Sequence, residues 1–173
     1  MIKIKTKSLL IILLIISAIL NAFLGFHIKS KRDIALDNVT CFANLTLAGL
    51  NGLVDLTNNP HWEDPAFKML VYDQIVEAEI YARAAHQMVQ LTTGTPSQVS
   101  SMMGELSFRL QQKYTPVAVQ IANTKGTIDP QNMSTLINLV NGLRQSGWPL
   151  QQVQDIGWSK LKLALDRFLS SET

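Results

Sequence analysis

The chain has 173 residues, with 15 Lys/Arg against 13 Asp/Glu and a single cysteine. Six of the bases flank one apolar run, and without Lys3, Lys5, Lys7, Lys29, Lys31 and Arg32 the remainder carries a net charge of −4, which argues against a nucleic-acid partner. One cysteine, Cys41, excludes an intramolecular disulfide framework and a cysteine-based zinc site, and fits a small packed hydrophobe.

The apolar run is LLIILLIISAILNAFLGFHI, Leu9 to Ile28. At about 1.5 Å per residue, about twenty helical residues reach the roughly 30 Å of a hydrocarbon core. A removable signal has a shorter apolar stretch, about 7–15 residues, and a small-x-small cleavage site. Here Ala22 follows Leu20 by two residues and Gly25 follows Phe23, so neither makes such a site. Cys41 stands a dozen or so residues past the run, behind Val39 and Thr40, and makes no lipid-attachment motif. The run therefore reads as an uncleaved signal-anchor over 9–28, with a short cytoplasmic tail over 1–8 and a helical domain over 29–173. Lys/Arg residues balance on the two sides, so the domain's placement outside the cytoplasm rests on the shortness of the leading tail. Ser17, Asn21 and Gly25 recur every four residues and form a small, polar face of the span. Such faces pair with a second copy or with another membrane helix.

After the span, no Pro or Gly occurs between Lys29 and Ala48, so the anchor should continue into a central helical strut. Asp33, Asp37, Thr40, Asn44, Asn51 and Asp55 follow helical steps on one narrow stripe, and Ile34, Val39, Phe42, Leu45, Leu50 and Leu53 fill the rest of the circumference. Gly49 and Gly52 allow a close approach or a kink. Asp64-Pro65, Thr95-Pro96 and Asp129-Pro130 read as helix starts, with an N-capping side chain before a proline at the first helical position. In the second helix, Pro65 to Leu91, Ala78, Ala82 and Ala85 line a stripe for close packing. Glu79, Arg83, His86 and Gln90 read as a solvated face. Asp73 and Glu77 repel at i, i+4 and call for a basic neighbour, or for a cation or basic ligand. Later apolar positions at helical spacing run from Val99 to Ile121, from Met133 to Leu143 and from Val153 to Phe168, with a break at Gly147-Trp148-Pro149. The expected fold is all-α, a single N-terminal transmembrane helix continuing into a bundle of four to five helices.

Charge divides along the chain. Asp33 to Glu79 holds eight acids and one base, Lys68, whereas the part from Ile80 on holds eight bases and five acids, which suggests attraction between the halves. For chemistry the sequence offers little. Arg83 stands where a di-iron Glu-x-x-His pair would need a glutamate before His86, and no phosphate loop, nucleophile elbow or zinc helix motif occurs. No metal or cofactor is expected. His61 and Asp64, in NNPHWEDP, could serve a membrane-tethered hydrolase as base and orienter. The same residues also suit a turn, a Trp62 anchor and a helix cap. The favoured reading is a membrane-anchored, non-catalytic interaction or ligand-binding module, with His61, Trp62, Asp64, Asp73 and Glu77 as candidate binding residues.

Overall fold

The computed structural model describes residues 6–58, 60–89 and 97–171, with side chains from residue 14 on apart from those of residues 15, 32, 89 and 97. Regular structure among them is helical throughout: α1 (Thr6–Leu56), α2 (Pro65–Val89), α3 (Ser97–Arg109), a π turn (Leu110–Tyr114), α4 (Thr115–Asn123), α5 (Pro130–Gln145) and α6 (Val153–Ser171). Because α3, the π turn and α4 follow without a gap, they form one of five consecutive segments. Pro116 accounts for the π turn. It lacks an N–H and its ring crowds the carbonyl four residues back, and Thr115 N–H reaches back five residues to the Leu110 carbonyl. The strand-like Val117–Ile121 stretch is helical inside α4.

The chain winds from apolar to covered along α1. From residue 16 to residue 31 every side chain is exposed, whereas Val39, Ala43, Leu47, Leu50, Leu53 and Val54 are buried. The helix does not break between these two regimes. Its main cover is α2, which runs antiparallel to it: Phe42 stacks on Tyr81 at 6.4 Å, and Gly49 lies against the Gln74 carbonyl and Ala78. The glycine thus permits close approach and no kink. Ala78, Ala82 and Ala85 are fully buried, as their stripe implied.

The polar stripe of α1 has a definite partner. Asn51 Nδ2 donates to the Leu150 carbonyl at 2.7 Å, and Leu150 N–H donates back to Asn51 Oδ1 at 2.9 Å. Two turns earlier, Val153 N–H donates to Asn44 Oδ1 at 2.8 Å, and Asn44 Nδ2 donates to Gln154 Oε1 at 2.7 Å. About seven helical residues and about three extended ones both cover roughly 10 Å, so the two amides meet the non-helical 149–152 segment in register. They strap it onto α1. At its upstream end, α5 stops in a Schellman motif: Gly147 has φ 98°, its N–H donates to the Arg144 carbonyl at 3.0 Å, and Trp148 N–H donates to the Leu143 carbonyl at 3.1 Å. Beyond the strap, Gly157 at φ 74° and ψ 158° turns the chain into the longer part of α6, in a region open to glycine alone.

Asp64 and Asp129 cap α2 and α5 as their sequences imply, accepting from Ala66 N–H at 2.8 Å and Gln131 N–H at 2.7 Å. The Thr95-Pro96 start lies outside the described residues. Helix C-termini follow a rule that the sequence hides. The last turns of α1, α4 and α6 hold no basic residue, and each receives a cation from another helix. Arg144 donates to the Val54 carbonyl, Thr57 Oγ1 and Asn58 Oδ1; Lys68 Nζ to the Thr124 and Gly126 carbonyls; Arg109 to the Leu169 carbonyl. These cations answer the negative helix ends. The expected attraction between acidic and basic halves takes a different form, since both ion pairs among the described residues, Glu79 with Arg83 and Glu105 with Arg109, lie within one helix.

A Cβ at residue 49 would stand 3.0 Å from the Gln74 carbonyl oxygen and 3.1 Å from Ala78 Cβ, whereas one at Gly126 meets nothing within 4 Å. Gly49→Ala is predicted to destabilise the domain by about 1–3 kcal/mol, and Gly126→Ala by less than about 0.5 kcal/mol, as measured by chemical unfolding followed by circular dichroism.

Candidate functional site

The end of the bundle away from Thr6 is formed where α1 stops, α2 begins, α4 stops and α5 begins. Its loop over 57–64 carries Trp62, a half-buried indole fixed edge-on against Phe67 at a centroid distance of 4.9 Å. Two cavities open on either side of this ring. The larger, about 580 Å³, is lined by Trp62, Glu63, Lys68, Lys125, Ile128 and Met133, among others. The smaller, about 200 Å³, lies between Trp62, Leu136, Val140 and Arg144. Trp62 is thus the shared wall, and both cavities contain a cation that also caps a helix.

Lys68 is the unusual residue here. It is 2 % exposed, yet no carboxylate pairs with it among the described residues. A buried ammonium requires compensation, and part of it comes from the Thr124 and Gly126 carbonyls, at 3.0 and 3.2 Å, where α4 ends. Sequence reasoning gave Lys68 no role, although its standing as the one base among eight acids between Asp33 and Glu79 was the available signal. Lys125, on the same wall, sits in a loop with no periodicity to mark it.

The neighbouring loop residues are placed as a turn, an anchor and a cap. Asp64 N–H donates to the His61 carbonyl at 2.9 Å, and the Asp64 carboxylate is turned to Ala66 N–H. His61 is exposed and packs edge-on to Phe67 at 6.2 Å. No hydrogen bond joins the His61 and Asp64 side chains among the described residues.

Asp73 and Glu77 are both exposed on α2, and neither forms an ion pair among the described residues, so the expected basic neighbour is not there. Water solvates them instead. Of the solvated face expected at Glu79, Arg83, His86 and Gln90, Arg83 is exposed, Glu79 and His86 are turned into the contact with α3, and Gln90 lies outside the described residues. Glu79 is 6 % exposed, pairs with Arg83 and accepts from Ser107 Oγ at 3.5 Å. His86 Nδ1 lies 2.8 Å from the Ser100 carbonyl, and its ring sits over Gly104. A row of small residues on α3, Ser100, Gly104 and Ser107, is what admits these polar side chains. Polarity on α2 signals exposure only where no small, polar row on another helix matches it, and α3 supplies such a row.

At the opposite end, Ser17, Asn21 and Gly25 are exposed, and a Cβ at Gly25 would meet nothing within 4 Å. The small polar face makes no contact with the bundle. Among the described residues one helix, Ile16–Leu56, is long and apolar enough to cross a membrane, with mean hydropathy 1.3 and 44 % burial over its qualifying stretch. All the buried residues of this helix lie from Val39 on, so that share belongs to the core, and the exposed residues 16–31 are a separate stretch of the same helix. No protein-family model, curated protein or solved structure matches the chain.

Because Asp73 and Glu77 are solvated and unpaired, Asp73→Asn and Glu77→Gln are each predicted to change stability by no more than about 0.5 kcal/mol, and a chelator should leave the melting temperature unchanged. A chelator-dependent fall in melting temperature would instead place a cation on this face.

Proposed function

We propose that the protein is a membrane-anchored, extracytoplasmic helical bundle that acts as a non-catalytic interaction or ligand-binding module. One observation carries the anchoring: Leu14, Ile16, Ile19, Leu20, Phe23, Leu24, Phe26 and Ile28 are all 48–75 % exposed along a helix that then enters the bundle without a break. At about 1.5–3 kcal/mol per fully buried apolar side chain, moving this row into lipid is favourable by on the order of 10 kcal/mol. Lys3, Lys5 and Lys7 before the run are balanced by Lys29, Lys31 and Arg32 after it, so the Lys/Arg count favours neither orientation, and the extracytoplasmic placement is the part that protease accessibility decides. A binding role is supported by the far end, where an aromatic wall divides two cavities, and by the capping role of Asp64, which turns its carboxylate away from base-orienting work. The face of Ser17, Asn21 and Gly25 is the surface by which the span would meet a second copy or another membrane protein, with an amide contact worth about 1 kcal/mol.

Alkaline carbonate extraction of cell membranes should leave the full-length chain in the pellet, and protease added to intact cells whose outer face is accessible should remove the bundle. Release by carbonate would sink the anchor, and protection until lysis would reverse the orientation. In membranes, Asn21→Leu combined with Gly25→Leu is predicted to abolish cross-linking between spans, while Ile19→Leu, about 160° around the helix from Asn21, preserves it. Equal cross-linking in both variants would remove the role given to this face.

A further inference from the structure

We propose that the cavity between Trp62 and the 125–133 segment binds a small organic monoanion, a carboxylate carried on an apolar body, with Lys68 as its buried counter-charge. This deepens the ligand-binding reading above and is independent of the anchor, so loss of the membrane assay would leave it standing. An ammonium has three N–H donors. Lys68 Nζ gives two of them to the Thr124 and Gly126 carbonyls, which leaves one without an acceptor among the described residues. Lys68 is among the lining residues while being 2 % exposed, and no carboxylate pairs with it among the described residues, so a buried positive charge stands at the cavity wall with a donor to spare. A charge in that setting gains far more from an anion than an exposed lysine does, because little water competes for it.

The rest of the wall narrows the ligand class. Lys125 adds a second cation, and Trp62, Ile128 and Met133 present apolar surface for a hydrocarbon or aromatic body. Glu63 shares the wall without pairing with either lysine among the described residues, and its charge disfavours a second negative group on the ligand. Two cations against one carboxylate thus suit a single negative charge, and dianions such as succinate or inorganic phosphate are poor fits. At about 580 Å³ the cavity lies within the range of roughly 300–1,000 Å³ typical of small-molecule sites. Trp62 supplies the reporter, since its indole forms the wall and the other cavity lies behind it.

The test uses the full chain in detergent, with phenylacetate as probe, 2-phenylethanol as its neutral counterpart, and succinate and inorganic phosphate as dianions, read by isothermal calorimetry and by tryptophan fluorescence. Phenylacetate should bind saturably and change the fluorescence, with the fluorescence change lost in Trp62→Phe, while 2-phenylethanol, succinate and phosphate bind at least about tenfold more weakly. Lys68→Met should weaken phenylacetate at least about tenfold. Should that variant not fold, Lys125→Gln, on an exposed loop position, should weaken it about threefold, and Glu63→Gln should strengthen succinate by a similar factor. Absence of saturable phenylacetate binding, equal binding of 2-phenylethanol, or undiminished binding in Lys125→Gln would each overturn the proposal.

Discussion

Continuity of α1 is the constraint to which the other elements answer. One uninterrupted helix presents apolar side chains outward between residues 14 and 28 and then buries them from Val39 on, so its second half demands cover on nearly every side. The alanine stripe of α2 and Gly49 bring one neighbour close; α5 reaches the α1 C-terminus through Arg144; the 149–152 segment is tied along the polar stripe by Asn44 and Asn51. Only Cys41, Leu45, Ala48 and Asp55 remain exposed between Val39 and Leu56. The helix is thus both the candidate anchor and the axis of the core, and no break in it separates the exposed stretch from the buried one.

A second theme is electrostatic and works through helix ends more than through ion pairs. Three helices whose own last turns lack a base are closed by Arg144, Lys68 and Arg109 from elsewhere in the fold. Each contact replaces water at carbonyls that a helix leaves unsatisfied, and each joins elements distant in sequence. The arrangement also explains why a domain of net charge −4 holds cations at its helix ends. They answer backbone dipoles, which carry no formal charge and so do not enter any count of acids and bases. At the far end this places Lys68 and Arg144 beside Trp62, and a structural requirement there generates the local chemistry from which a binding site can be built.

Much of the fold could be read from residue spacing, and the site much less so. Helical periodicity, Pro65 and Pro130 with their capping aspartates, and the Gly147 break are local signals, and local signals survive without tertiary knowledge. The alanine stripe was also legible, because small residues at helical spacing have few other uses. What failed were inferences that depend on which element covers which. Glu79 looked solvated because its cover, the Ser100, Gly104 and Ser107 row, lies on another helix. Asp73 and Glu77 call for a base through their repulsion at i, i+4, but both stand exposed beside the exposed Leu70 and Ile80, where water and salt screen that repulsion. Lys68 was visible only as an exception in a charge count, since its acceptors lie 56 and 58 residues away.

Passage of a single helix from lipid into the protein core can be followed residue by residue with a spin-label scan. Labels placed one at a time from residue 14 to residue 54, in lipid nanodiscs, would be read for accessibility to oxygen and to a water-soluble nickel complex. A continuous helix gives high oxygen and low nickel accessibility through residue 28, then a helical period of about 3.6 residues, with minima at Val39, Ala43, Leu47 and Leu50 and no interruption across residues 29–38. Nickel accessibility throughout residues 14–28, or loss of the helical period between the two regions, would contradict it.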